Sequence, residues 1–195
     1  MLNLTDFIEA FIPLLIIINP LMIIPNYVEV VRNLPKKEAN SFSNKTVFSA
    51  FVIMAIFILL GKYFINMIGI STHSFMIACG ILLLYISLGM LSGDPPITRN
   101  ISFDSKSIVP MSIPLLAGPG AIATAIVLEG EYGKLIVIIS LALIMILSKI
   151  LLENHKWIYM TLGTNGLNAW SRLSALFFSA IAVSLIINGI TSIGW

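Results

Sequence analysis

The chain has 195 residues, 58% of them hydrophobic and only 10% charged, against about 25% charged in ordinary soluble domains. Length alone would suit one or two soluble domains, but this composition excludes them and marks an integral membrane protein. A net charge of +2 is too small to suggest nucleic acid. The apolar residues come in blocks of about one span each, so the fold class is all-α rather than the alternating pattern of a β-barrel.

Segment 1 covers residues 7–30. Its flank carries Asp6 and Glu9 without Lys or Arg, and no small-residue cleavage site follows, so it reads as a span and not a signal peptide. Proline removes the N–H that would bond the carbonyl four residues back. Pro13, Asn19-Pro20 and Pro25 are therefore expected to free the carbonyls of Glu9, Ile16 and Leu21 and to interrupt the helix. A basic connection runs from Arg32 to Lys45. Segment 2 covers 46–68 and carries Lys62 near its end, expected to reach the headgroups. A turn at 66–72 contains Gly69. Segment 3, 74–91, holds Gly80, Gly89 and the only cysteine, Cys79, which has no intrachain partner for a disulfide.

The longest polar stretch, 92–107, divides the chain nearly in half. Segment 4, 110–128, reads P-M-S-I-P-L-L-A-G-P-G-A-I-A-T-A-I-V-L. It is long enough to cross ~30 Å of hydrocarbon at 1.5 Å per residue, yet Gly118-Pro119-Gly120 breaks it in the middle. Freed backbone groups cost several kcal/mol each in hydrocarbon unless protein, water or a ligand satisfies them. The stretch is thus a kinked structural helix or a broken helix lining a polar cavity, and three breakers in three residues favour the second. Segment 5, 133–152, is smooth. Glu153 to Lys156 and Gly163 to Gly166 fall in the next connection, where His155, like His73 earlier, reads as a surface residue. Segment 6, 169–193, begins near Arg172 and carries Asn188 near its end.

Six transmembrane helices result, three per half, with helices 1 and 4 discontinuous. Asn19-Pro20 recurs as Gly118-Pro119, and Gly69-Ile70 as Gly166-Leu167. The connections between segments 1–2, 3–4 and 5–6 hold Arg32, Lys36, Lys37, Lys45, Arg99, Lys106, Lys149, Lys156 and Arg172, whereas the opposite side holds only Lys62 and Lys134. That asymmetry places the basic side in the cytoplasm and both termini on the other side. With three spans per half, the second half enters from the opposite face. The expectation is one transmembrane domain built as a 3+3 inverted-topology repeat: 1–92, a connecting loop 93–106, and 107–195.

The run I-P-L-L-A-G-P-G-A-I-A-T in segment 4, the N-P-L-x-x-I-P of residues 19–25, the L-G-T-N-G-L-N-A-W-S-R of 162–172 and the I-N-G-I of 187–190 resemble the MarC family over nearly the whole chain. The resemblance implies a six-helix inner-membrane protein, related to proteins that move neutral amino acids such as glycine and alanine. The chain departs from the family pattern in segment 3. Members often carry Arg early and Glu late there, where this sequence has Met76 and Gly89. That departure puts a segment 3 charge, and proton coupling through it, in doubt.

Broken helices present opposite partial charges. The N–H groups of Gly120, Ala121 and Ile122, at the start of a half-helix, suit a carboxylate. Carbonyls freed at Ile16 and Leu115 suit an ammonium group or Na⁺. A small amino-acid zwitterion carries both complements. The candidate substrate-binding residues are Ile16, Asn19, Pro20 and Leu21 at the first break, and Leu115, Gly118, Pro119, Gly120, Ala121 and Thr124 at the second. Asn19 either lines the site or caps a half-helix. Thr124 either meets ligand or bonds the carbonyl one turn earlier. Arg172 reads as an interfacial anchor or part of a gating ion pair.

No Asp or Glu lies mid-span, so coupling to H⁺ would need Glu9, Glu29 or Glu129 at a span end. Na⁺ coupling through carbonyls and uncoupled diffusion stay open, as does a homo-oligomer. No cofactor or metal site is expected. With no H-E-x-x-H, no G-x-S-x-G and no mid-span carboxylate pair, an enzyme is not expected either. The leading expectation is a secondary transporter of small neutral amino acids across the cytoplasmic membrane. The alternative is a channel or a helper subunit of a membrane complex.

Overall fold

The computed structural model describes residues 3–92 and 116–192, and among them all regular structure is helical. The connecting loop 93–106, the first part of segment 4 and the candidate residue Leu115 lie outside the described residues. Helix α1, Leu4–Ile18, runs straight through Pro13, then gives way to a 3₁₀ turn at Pro20–Ile23 and to α2, Ile24–Val31. Helices α3 (Lys36–Met67) and α4 (Thr72–Ser92) follow. After the second break come α5 (Pro119–Tyr132), α6 (Lys134–Glu153) and α7 (His155–Thr191).

Among the described residues, five stretches are long and apolar enough to cross a membrane: Leu4–Val31, Lys36–Met67, Thr72–Ser92, Lys134–Glu153 and His155–Thr191. By itself α5, 14 residues long, extends only ~21 Å, short of a ~30 Å hydrocarbon layer. The expected polar connection is reduced to a kink: the residues on either side are helical, and the helix is interrupted at Gly163, whose φ of 60° and ψ of −177° belong to a region only glycine occupies readily.

Three antiparallel pairings build the bundle. Helix α1 packs on α5, with the Tyr132 hydroxyl donating to Glu9 Oε2 at 3.2 Å. Helix α3 packs on α6, with Lys134 Nζ donating to the Leu59 carbonyl at 2.9 Å. The most extensive contact joins α4 and α7, where Ser179 donates to Ser87 Oγ at 2.8 Å and Gly189 lies against His73 and Ile77. Helix α5 sits at the centre, touching α1, α3, α4 and α6. From Ala123 to Glu129 every residue of it is buried, as befits a helix apolar on all sides. Helices α3 and α7 in contrast turn Phe48, Tyr63, Trp157 and Met160 outward, the surface a lipid-facing wall presents.

Candidate functional site

The first break is built on Asn19. It is the only non-glycine residue with positive φ among the described residues, at φ 44° and ψ 67°. Asparagine tolerates this left-handed conformation better than most side chains. The Asn19 N–H bonds the Leu15 carbonyl at 3.0 Å and closes α1. Pro20 has no N–H, so the Ile16 carbonyl is left without its helical donor, as its position before proline dictates. Leu21 differs from expectation, because its carbonyl accepts the Ile24 N–H within the 3₁₀ turn. A shorter-range bond replaces the one that Pro25 removes.

Asn19 is 5% exposed and its side chain caps neither flanking helix. Its Oδ1 accepts a hydrogen bond from Trp170 Nε1 of α7 at 2.9 Å, while among the described residues its Nδ2 has only the Met22 sulfur at 3.9 Å. Trp170 is the residue that sequence reasoning passed over. Its one signal was its place in the run at 162–172. Pro20 is buried and Leu21 half-buried beside the break.

The second break begins at Gly118, extended at φ −64° and ψ 160°, with Pro119 as the first residue of α5. Proline suits that position, since the first helical N–H has no partner anyway. The Gly118 carbonyl accepts the Ile122 N–H at 3.0 Å, which removes Ile122 from the expected donors. Gly120 and Ala121 keep N–H groups that face the break. A Cβ on Gly120 would lie 2.5 Å from Leu83 Cδ2 of α4. The missing side chain here thus admits Leu83. Thr124, four residues on and hence on the same face, is 2% exposed. Its hydroxyl has no partner among the described residues, not even the carbonyl one turn earlier. Ser43, Thr46, Ser140 and His73 also hold an unpartnered buried polar atom, but of these atoms only that of Thr124 stands on α5.

The antiparallel contact of α1 with α5 relates the two breaks. Counted from the Glu9–Tyr132 bond, Asn19 lies ~15 Å along α1 and Gly118 ~21 Å back along α5, at 1.5 Å per residue. The carbonyl end of α1 and the N–H end of α5 therefore lie within ~6 Å of one level. Opposite partial charges end at similar depth in the bundle.

At the far end of α5, Lys62 Nζ of α3 meets Glu129 Oε2 at 3.1 Å, so Lys62 pairs with a buried carboxylate and does not simply snorkel. Gly130 leaves the ammonium its space, since a Cβ there would lie 2.9 Å from Lys62 Nζ. Just past the apolar stretch, partial burial and the neighbouring Glu9 hold the Glu131 carboxyl above its ordinary range. At the opposite end His155 is buried, not surface-exposed as expected. Its Nδ1 lies 2.7 Å from the Leu152 carbonyl and its ring stands edge-on to Tyr27. Arg172 is exposed and makes no ion pair among the described residues.

Residues 4–193 match the model of the MarC family integral membrane proteins. The chain belongs to the MarC family. It is 34% identical to the UPF0056 membrane protein MJ1677 of Methanocaldococcus jannaschii, over 97% of this chain and 98% of that one. A UPF0056 membrane protein of Buchnera aphidicola is 30% identical, covering 98% of this chain and 94% of its own. One from Aquifex aeolicus is 28% identical, covering 96% and 93%. No solved structure matches. This MarC protein is therefore a multi-pass helical membrane protein, and the match includes both breaks.

Proposed function

We propose that this MarC protein is a secondary transporter of small neutral amino acids, of glycine or alanine size, working by alternating access across the cytoplasmic membrane. One observation carries the reading. By helix rise from the Glu9–Tyr132 bond, opposite helix ends, the Ile16 carbonyl side and the Gly120–Ala121 N–H side, end within ~6 Å of one level in an apolar bundle. An ammonium group and a carboxylate on one α-carbon match that pair. Thr124 adds an unpartnered hydroxyl one turn beyond the donors, and Asn19, held by Trp170, keeps its amide hydrogens available. Large neighbours such as Leu116 and Ile122 leave room only for a small side chain.

The pairing pattern supports the inverted repeat. Helices α3 and α6, and α4 and α7, occupy corresponding places in the two halves. Each packs antiparallel on its own counterpart, as a pseudo-two-fold axis in the membrane plane requires. Rocking one half on the other would open the breaks to each side in turn. No carboxylate stands mid-span, so a coupling proton would use Glu9, Glu29 or Glu129, and Na⁺ would use the carbonyls at the first break.

Counterflow in proteoliposomes tests the function. Vesicles loaded with unlabelled alanine should accumulate labelled glycine or alanine transiently, which a carrier does and a channel or helper subunit does not. Uptake that only equilibrates, or none at all, overturns the reading. A reporter fused at residue 195 should be active outside the cytoplasm; activity only inside overturns the orientation.

A further inference from the structure

We infer that the groove between α3 and α6 is a binding site for one anionic phospholipid, in the leaflet that meets the basic connections. The groove has a volume of about 550 Å³ and opens on the outer side of the bundle. Its walls are Phe48 and Phe51 of α3 with Met145 and Ile146 of α6, and its polar residues are Asn44, Lys45 and Lys149. Because the two helices run antiparallel, Lys45 and Lys149 come to the same end. From there the walls continue ~9 Å into the apolar layer, six residues along α3. Phe48 and Ile146 are 69% and 57% exposed, so nothing among the described residues covers the slot.

Charge identifies the occupant. An acyl chain alone would fill an apolar slot of any kind, whereas two ammonium groups and an amide at its mouth select a phosphate. Lys45 has no acidic partner within 4 Å among the described residues. Lys149 has Glu153 one turn on at 3.9 Å, a spacing and exposure at which an ion pair holds its lysine weakly. Basic grooves between membrane helices at this depth suit anionic headgroups, with their chains lying on the apolar wall. This inference does not depend on what the protein transports.

Native mass spectrometry of the full chain, released from non-ionic detergent with equal phosphatidylglycerol and phosphatidylcholine of matched chains, tests it. About fivefold per lysine gives a ~25-fold preference for phosphatidylglycerol. Lys45→Gln with Lys149→Gln should reduce this to near parity, and Lys45→Gln alone should lose about fivefold. Lys36→Gln with Lys37→Gln removes the same charge outside the groove and should keep the preference. An unchanged preference in the groove variants overturns the site, and so does equal loss in the Lys36, Lys37 control. Displacement of the lipid by excess inorganic phosphate would make it a phosphate site. Loss of preference only when a dimer dissociates would assign the groove to a second copy of the chain. Either result overturns the lipid.

Discussion

Replacing Thr124 by Val separates binding from stability, because the two should move in opposite directions. The hydroxyl is buried with no partner among the described residues, and a buried hydroxyl without a hydrogen bond costs roughly 1–3 kcal/mol. Valine fills nearly the same space with a methyl group, so Thr124→Val should raise stability by about 1 kcal/mol. If the hydroxyl serves a substrate carboxylate, the variant loses a charge-assisted hydrogen bond worth about 1.5–3 kcal/mol, a ~10- to 100-fold weaker affinity. Thr124→Ser keeps the hydroxyl and should bind within a few-fold of the original. Thermal unfolding in detergent gives the first quantity, and glycine and alanine binding to the same preparations gives the second. Uptake normalised to protein in the vesicle completes the set. A Thr124→Val protein that folds normally and binds as well as its parent refutes the assignment. Lowered stability would mean that the hydroxyl has a partner in the protein.

Gly120→Ala should cost about 1 kcal/mol, at the low end for overpacking because the atom met is the end of Leu83; adding Leu83→Val should restore both stability and uptake. An uptake defect that persists in the stable double variant would show the methyl group meeting ligand directly. Lys62→Met strands Glu129, whose side chain is 9% exposed against 39% for Lys62, and should cost ~1–3 kcal/mol, between surface and buried pairs. A double-mutant cycle with Glu129→Gln that shows no coupling would remove the pair from the account. Gly163→Ala should cost ~1–3 kcal/mol from backbone strain alone, since beyond its own helix backbone no described residue comes within 4 Å of its Cβ position. The matched change Gly89→Ala, equally unobstructed but in ordinary helix, should be neutral or stabilising on thermal unfolding.

The breaks were legible because proline acts locally: the missing N–H at Pro20 and the start of α5 at Pro119 follow from the residue itself. What was not legible depends on partners distant in the chain. The Trp170–Asn19 bond joins residues 151 apart, and no periodicity in either segment announces it. Thr124 reads as a residue that bonds its own helix, the local default, and only the folded backbone leaves its hydroxyl alone. Lys62 and Glu129 each look like an interfacial charge when read singly. The faint signal is the glycine beside each, Gly61 and Gly130, which lets α3 and α5 approach. The Gly163 region read as a connection because Gly, Thr and Asn cluster there; the break is confined to Gly163, in a backbone conformation glycine adopts readily, and helix resumes on its far side.

The two breaks differ in how they are made, and that difference bears on which half moves. At the first, Asn19 lies in a left-handed turn tied by its side chain to α7, and the 3₁₀ turn after it packs on α6 and α7. At the second, Gly118 is extended and half-exposed, Pro119 is exposed, and α5 behind them is enclosed by four helices. The acceptor side is therefore fastened across elements of the second half, while the donor side is carried on the rigid central helix. In alternating access the fixed element should be the one most enclosed, since moving it would disturb every interface at once. Helix α5 meets that condition, and on the proposed alternating access the Asn19–Trp170 bond is the contact that an opening motion would break. One neutral hydrogen bond of ~1 kcal/mol is small enough to open with each cycle. Trp170→Phe should therefore speed or unlatch the motion before it harms the fold. Substrate exchange in Trp170→Phe that is slower than in the parent, at equal thermal stability, would show that the bond positions Asn19 for ligand and does not hold the gate.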